Sequence, residues 1–168
     1  MKNNTNNEVS KAKQKFIEGI NFFENKDYES AEIRFLESLK LTPGRLSIVG
    51  NIIKVYVVTK QSKKLEKLLE DYDSETNKDI TFGKAFNCYY KDNYKQSINL
   101  CNDLIKYEDL RYPIQDLLAL NYKKLYQFID ALKIYKKKLS YIKDDFKIYF
   151  NIASLFFELG KYNKALIY

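Results

Sequence analysis

The segment Lys26-Asp-Tyr-Glu-Ser-Ala-Glu-Ile-Arg-Phe-Leu-Glu-Ser-Leu-Lys-Leu-Thr-Pro43 decides how this chain is read. Its step from Tyr28 to Ala31 returns as Tyr94 to Ser97, Phe128 to Ala131 and Tyr162 to Ala165. Ser97, Ala131 and Ala165 lie 34 residues apart. A step of 34 from Ala31 reaches Leu65, a weak copy, and Ser97 is 32 further on. A fixed period of this size marks a repeat array. Helices of about a dozen residues are too short to hold alone in water. Stacked, they bury their faces in one core, each repeat touching only its neighbours.

The small and aromatic positions sharpen the pattern. Counted from Ala12, Gly19 takes place 8, Phe22 place 11, Tyr28 place 17, Ala31 place 20, Phe35 place 24 and Pro43 place 32. The fifth copy carries Ala153, Phe156, Gly160, Tyr162 and Ala165, and the fourth Ala119, Tyr122, Phe128, Ala131 and Tyr135. The third is weaker (Ala85, Cys88, Tyr94, Ser97, Cys101), and in the second (Ile53, Tyr56, Leu65, Leu69) only the spacing remains. Small residues at places 8 and 20 let two helices approach, and large ones at 11 and 24 fill the space between them. The arrangement resembles the tetratricopeptide repeat, a 34-residue pair of antiparallel helices, over residues 12–168. The resemblance implies an all-α fold, a right-handed solenoid of antiparallel helix pairs. Its repeats would run at about 12–45, 46–77, 78–111, 112–145 and, truncated, 146–168, within an array spanning 10–168.

In chain order, the polar residues 1–9 are expected as a disordered tail. Ser10 is the expected cap of a helix over 11–24, and Asp27 that of a helix over 28–41, which Pro43-Gly44 stops. The second pair is expected over 46–58 and 62–72, with Ser62 as cap, before a polar seam at 73–79. Helices follow over 80–90 and 94–107, then one with Pro113 in its first turn reaching 125, then 128–141. Asp144-Asp145 begins a ninth helix ending near Gly160. The chain stops at Tyr168, barely two turns into a tenth, so the expectation is a piece of something longer or an end covered by another copy.

Net charge is +7, but Arg34, Arg45 and Arg111 are the only arginines and acids are interspersed. Nucleic-acid binders cluster their charge and lean on Arg, so no nucleic acid is expected. A solvated surface accounts for the excess, with a preference for acidic partners as the alternative. Lys133, Lys136, Lys137 and Lys138 are read the same way, as a solvated face or a dock for an acidic partner. There is no apolar leader and no run of the ~18 apolar residues that a membrane helix needs, so a cytoplasmic protein is expected, with no membrane partner. Cys88 and Cys101 read as inert core thiols.

With no histidine, Ser-His-Asp, Cys-His and His-bearing zinc arrangements are excluded, and no phosphate-cradling glycine motif occurs. Asp144 and Asp145 are read as helix-start acids. No catalytic residue, cofactor or metal is expected within these residues, and nothing argues for an enzyme. The resemblance instead implies a groove lined by the first helix of each pair. Carried over residue by residue, it holds Phe16, Ile20, Asn51, Lys54, Phe82, Phe86, Tyr89, Tyr90, Lys123, Lys124, Phe150 and Asn151. The same carry-over places Lys13, Phe23 and Phe157 in the groove. Aromatic area beside lysines and amides suits a protein partner or an extended peptide; packing between repeats is the alternative role for the aromatics. The family's chaperone-tail clamp is not matched, since its positions hold Phe16, Ile20, Asn51, Asp79 and Gly83, and only Asn51 agrees. The ladder of asparagines found in repeats fused to O-linked N-acetylglucosamine transferases is broken by Ile17, Gly83 and Leu117. The expected function is a peptide- or protein-binding scaffold. Two alternatives stand beside it: an N-terminal substrate-positioning arm of a larger enzyme (a glycosyltransferase, methyltransferase or sulfotransferase), and a solenoid that self-associates through its uncapped last helix.

Overall fold

Hydrophobic residues recurring at three- and four-residue intervals become helices along the whole chain. The computed structural model describes residues 2–168. In order it places α1 (Lys2–Glu24), α2 (Tyr28–Leu41), α3 (Leu46–Val58), α4 (Ser62–Glu70), α5 (Lys78–Tyr90), α6 (Tyr94–Leu104), a 3-10 turn (Glu108–Leu110), α7 (Arg111–Lys124), α8 (Phe128–Leu139), α9 (Phe146–Glu158) and α10 (Tyr162–Ala165). No strand occurs among the described residues. Two units are distinguished, one reaching Asn87 and one beginning at Cys88, so the division falls inside α5.

The link inside every pair is built identically. After α1, the Asp27 N–H donates to the Phe22 carbonyl at 2.9 Å and the Lys26 N–H to the Phe23 carbonyl at 3.0 Å. The same two bonds recur at Gln61 and Lys60, Asn93 and Asp92, Gln127 and Tyr126, and Lys161 and Gly160. This crossed pair satisfies the last helical carbonyls and requires the residue after the helix to turn left-handed. Accordingly φ is +63° at Lys26, +57° at Lys60, +59° at Asp92, +60° at Tyr126 and +67° at Gly160. Only the last is glycine. The other four carry a β-carbon in a conformation that costs roughly 1–2 kcal/mol. These corners keep the spacing of the sequence repeat, including the 32-residue step, and so identify the second pair where side chains barely do.

Within the first unit, the small-against-large packing is direct. A β-carbon on Gly19 would come within 2.6 Å of the buried Phe35 ring, and one on Gly83 within 3.1 Å of Ile53. The α3–α4 pair departs from this scheme because Ile53 and Leu65, both fully buried, stand where other repeats have small residues. The nine-residue α4 packs less extensively on α3 than the fourteen-residue α2 does on α1. Polar groups bridge successive helices: the Ser38 hydroxyl donates to the Ala12 carbonyl at 2.8 Å. Glu32 accepts from the Tyr56 hydroxyl at 3.2 Å and from the Lys64 ammonium at 2.7 Å.

The second unit has its own core of Ala119, Ala131, Leu132, Tyr135, Ile148, Ile152, Leu155 and Phe156. Asn121, fully buried, donates from its amide to the Ser97 hydroxyl and to the Leu117 carbonyl, both at 2.8 Å. Asp27, Asn93 and Asp145 each accept a backbone N–H at the start of α2, α6 and α9.

Four expectations are corrected. The first helix begins at Lys2, so the segment expected as a disordered tail is helical from there, and Ser10 lies inside the helix instead of capping it. No glycine or proline interrupts residues 2–10, so the backbone bonds of α1 continue outward. Ser62 is the first residue of α4, while Gln61 takes the cap place without a side-chain bond. Its amide is turned instead to Thr59 and Glu32. Lys138 is not part of a solvated face: it is buried, with its ammonium on Asp116 at 2.6 and 2.7 Å and over the Tyr112 ring.

Burial holds the Tyr135 hydroxyl well above its ordinary value, and the Asp116 charge adds to it. Burial acts likewise on Tyr56, helped by Glu32, and pushes the Cys101 thiol up to about 12. The unfolded chain gives up these protons first, so above about pH 9 it binds fewer protons than the folded one and stability falls as pH rises. Urea midpoints should therefore decline steadily from about pH 9 to 11. The Tyr56→Phe, Tyr135→Phe double variant should show a shallower decline. The corners give a second expectation. Lys60→Gly should raise stability by about 1 kcal/mol and Gly160→Val lower it by a similar amount, read as opposite shifts of a few degrees in thermal melts.

Candidate binding surface

The twelve groove residues do not share one environment. In the first unit most of them pack. Phe82 is buried and meets Phe86 edge-on at 4.9 Å, so it belongs to the core and not to an open groove. Phe16 is half-buried against the Phe35 ring, 5.7 Å between centroids. Its other side borders a pocket of about 180 Å³ with Val9, Lys13, Arg45 and Ile48. Ile20, Asn51, Lys54 and Phe86 are half-buried. The Asn51 amide donates to the Ser47 carbonyl one turn back at 2.8 Å, which occupies part of its hydrogen-bonding capacity.

In the second unit the surface opens. Tyr89, Lys123 and Lys124 line one pocket of about 230 Å³, together with Leu120, Tyr126, Phe128 and Glu158. Tyr89 is steadied by its neighbours, its ring 5.9 Å from both Tyr90 and Tyr94. The Lys123 ammonium donates to the Ser154 hydroxyl at 3.0 Å, which ties the end of α7 to the middle of α9. Helical spacing places Phe150 and Phe157 on the Ser154 face of α9, four residues before it and three after. Both are open to solvent, 62% and 63% exposed, and Phe146, stacked on Phe150, is 78% exposed. Asn151 is half-buried beside them in sequence.

Leu120, Tyr126, Phe128, Glu158 and Phe146 of this surface are absent from the sequence-based set. Phe146 could have been found, because it precedes Phe150 by one helical turn and extends the same stripe. Tyr126, 82% exposed, holds the left-handed corner after α7, and its display depends on backbone geometry. The electrostatics are also legible only in three dimensions. Asp116 on α7 is engaged by Lys138. The charges that line the pocket are therefore Lys123 and Lys124 against Glu158.

Among the described residues no cluster of three or more His, Cys, Asp or Glu side chains is placed to hold a metal ion. No helix among them is long and apolar enough to cross a membrane. Cys88 and Cys101 are both free thiols. Burial raises each of them above the ordinary thiol range, Cys101 the further. Since the thiolate is the reacting form, Cys101 should resist iodoacetamide at pH 8 in the native protein. Half-buried Cys88 should label slowly, and both should label rapidly in urea, as read by mass spectrometry.

No protein-family model and no curated protein matches the sequence. Solved structures do match the fold. A thermophilic TPR protein of Thermus thermophilus superposes with a TM-score of 0.73 at 14% identity, over 93% of this chain and 87% of its own. PilF of Pseudomonas aeruginosa gives 0.69 at 13%, over 95% and 74%. MamA gives 0.63 at 17%, over 93% and 86%. The fold is thus of the tetratricopeptide solenoid type that the resemblance implies.

Proposed function

We propose that the chain is a cytoplasmic protein- or peptide-binding module that receives its partner on the exposed faces of the first helices of its pairs. The observation that carries this reading is the stripe of Phe146, Phe150 and Phe157 on α9, each more than 60% exposed. A scattered apolar residue at a surface needs no explanation, but a stacked, exposed pair such as Phe146 and Phe150, with a third phenylalanine two turns on along the same side, does. Covering each phenylalanine is worth about 1.5–3 kcal/mol, enough for a few such residues to hold a partner. Lys123 and Lys124 beside the stripe add polar anchors that choose orientation. The fold supports the reading, since paired short helices present one such face per repeat.

A photo-crosslinking phenylalanine analogue placed at Phe150 should trap a distinct protein band in the cell that makes this chain. The same analogue at Lys106, exposed just beyond α6, should not. Tyr89→Ala and Lys123→Glu should each reduce the trapped band while circular dichroism stays unchanged. Equal trapping at both positions would remove the α9 face from the account.

A further inference from the structure

Resting on the binding reading, we infer that the α7–α9 surface selects an acidic peptide segment whose carboxylate lies between two apolar side chains. The surface itself has this alternation. Through its bond to Ser154 the Lys123 ammonium is held beside α9, between the levels of Phe150 and Phe157. Both phenyl groups are open to solvent, while Lys123 is half-buried. A cation fixed at Ser154, with an exposed phenylalanine one turn to either side along α9, offers one charged place beside two apolar ones. Asp116, two turns before Lys123 on α7, is paired with Lys138. The pocket is lined by two cations, Lys123 and Lys124, against the single acid Glu158, which leaves its lining net positive and favours an incoming carboxylate.

The spacing gives the register. Seven residues of helix separate Phe150 from Phe157, about 10 Å along the axis. A peptide in the extended polyproline conformation advances about 3.1 Å per residue with three residues per turn, so residues i and i+3 share one side roughly 9 Å apart. Apolar residues at those two places would meet the two phenyl groups. An acid at i+1 or i+2 would project sideways, toward α7 and Lys123. Desolvation by the flanking rings strengthens that ion pair over one in open water.

The test is selection of a random peptide library displayed on phage against the full chain, followed by titration of synthetic versions of the enriched peptides. Enriched sequences should carry an Asp or Glu within an apolar pair three residues apart. Phe150→Ala and Phe157→Ala should each weaken such a peptide roughly tenfold or more. Lys123→Gln should lose the preference for acid along with the salt dependence of binding. Lys123→Glu should select Lys or Arg at the same place, an exchange that loss of structure would not produce. Enriched peptides that are indifferent to charge, or unchanged by Lys123→Glu, would overturn the inference; if they still require Phe150, the binding reading stands without it. No peptide enriched on the wild-type chain would overturn both.

Discussion

Everything in this molecule depends on a residue held left-handed at the end of each first helix. That backbone state closes two crossed hydrogen bonds at once and turns the chain back in three residues: 25–27, 59–61, 91–93, 125–127 and 159–161. Because the bonds are between backbone groups, the corner is indifferent to its side chain. Lysine, aspartate, tyrosine and glycine all occupy it. The period therefore survives in the backbone even where packing residues have drifted, as at Ile53 and Leu65.

That explains how far the sequence can be read. The spacing of Tyr28, Tyr94, Phe128 and Tyr162 is enough to place the pairs and their register, since each opens the helix after a corner. The left-handed residues themselves are not legible, because four of the five lack the glycine that usually signals them. Nor is the extent of α1, whose polar beginning carries no periodicity to mark it. Lys138 reads as part of a charged run, and only the fold brings Asp116 and Tyr112 to it across α7 and α8.

The candidate surface divides in the same way. A resemblance to known repeats assigns residues by register, and register tells which side of a helix a residue faces. It does not tell how deeply the neighbouring helices cover it. Phe82 and Phe150 hold comparable places in their repeats, yet one is 4% and the other 62% exposed. Tyr89, Lys123 and Lys124 do line one pocket, each from the last turn of its helix. Phe146 and Tyr126 complete the surface from positions outside that register. The lysine-rich composition is likewise uninformative until paired: Lys133 is taken by Asp130, Lys136 lies over Phe156, and Lys123 is turned onto α9.

The uniform corners contrast with the seams between pairs, which run from a four-residue turn at 42–45 to a seven-residue one at 71–77. One extra residue in a corner would break both crossed bonds and rotate the second helix out of register. One extra residue in a seam lengthens a loop, at small entropic cost. Insertions, deletions and recombination between genes of this type would therefore survive at the seams and be purged at the corners. A lineage of such chains would vary in length by whole helix pairs while the hairpin itself stayed constant.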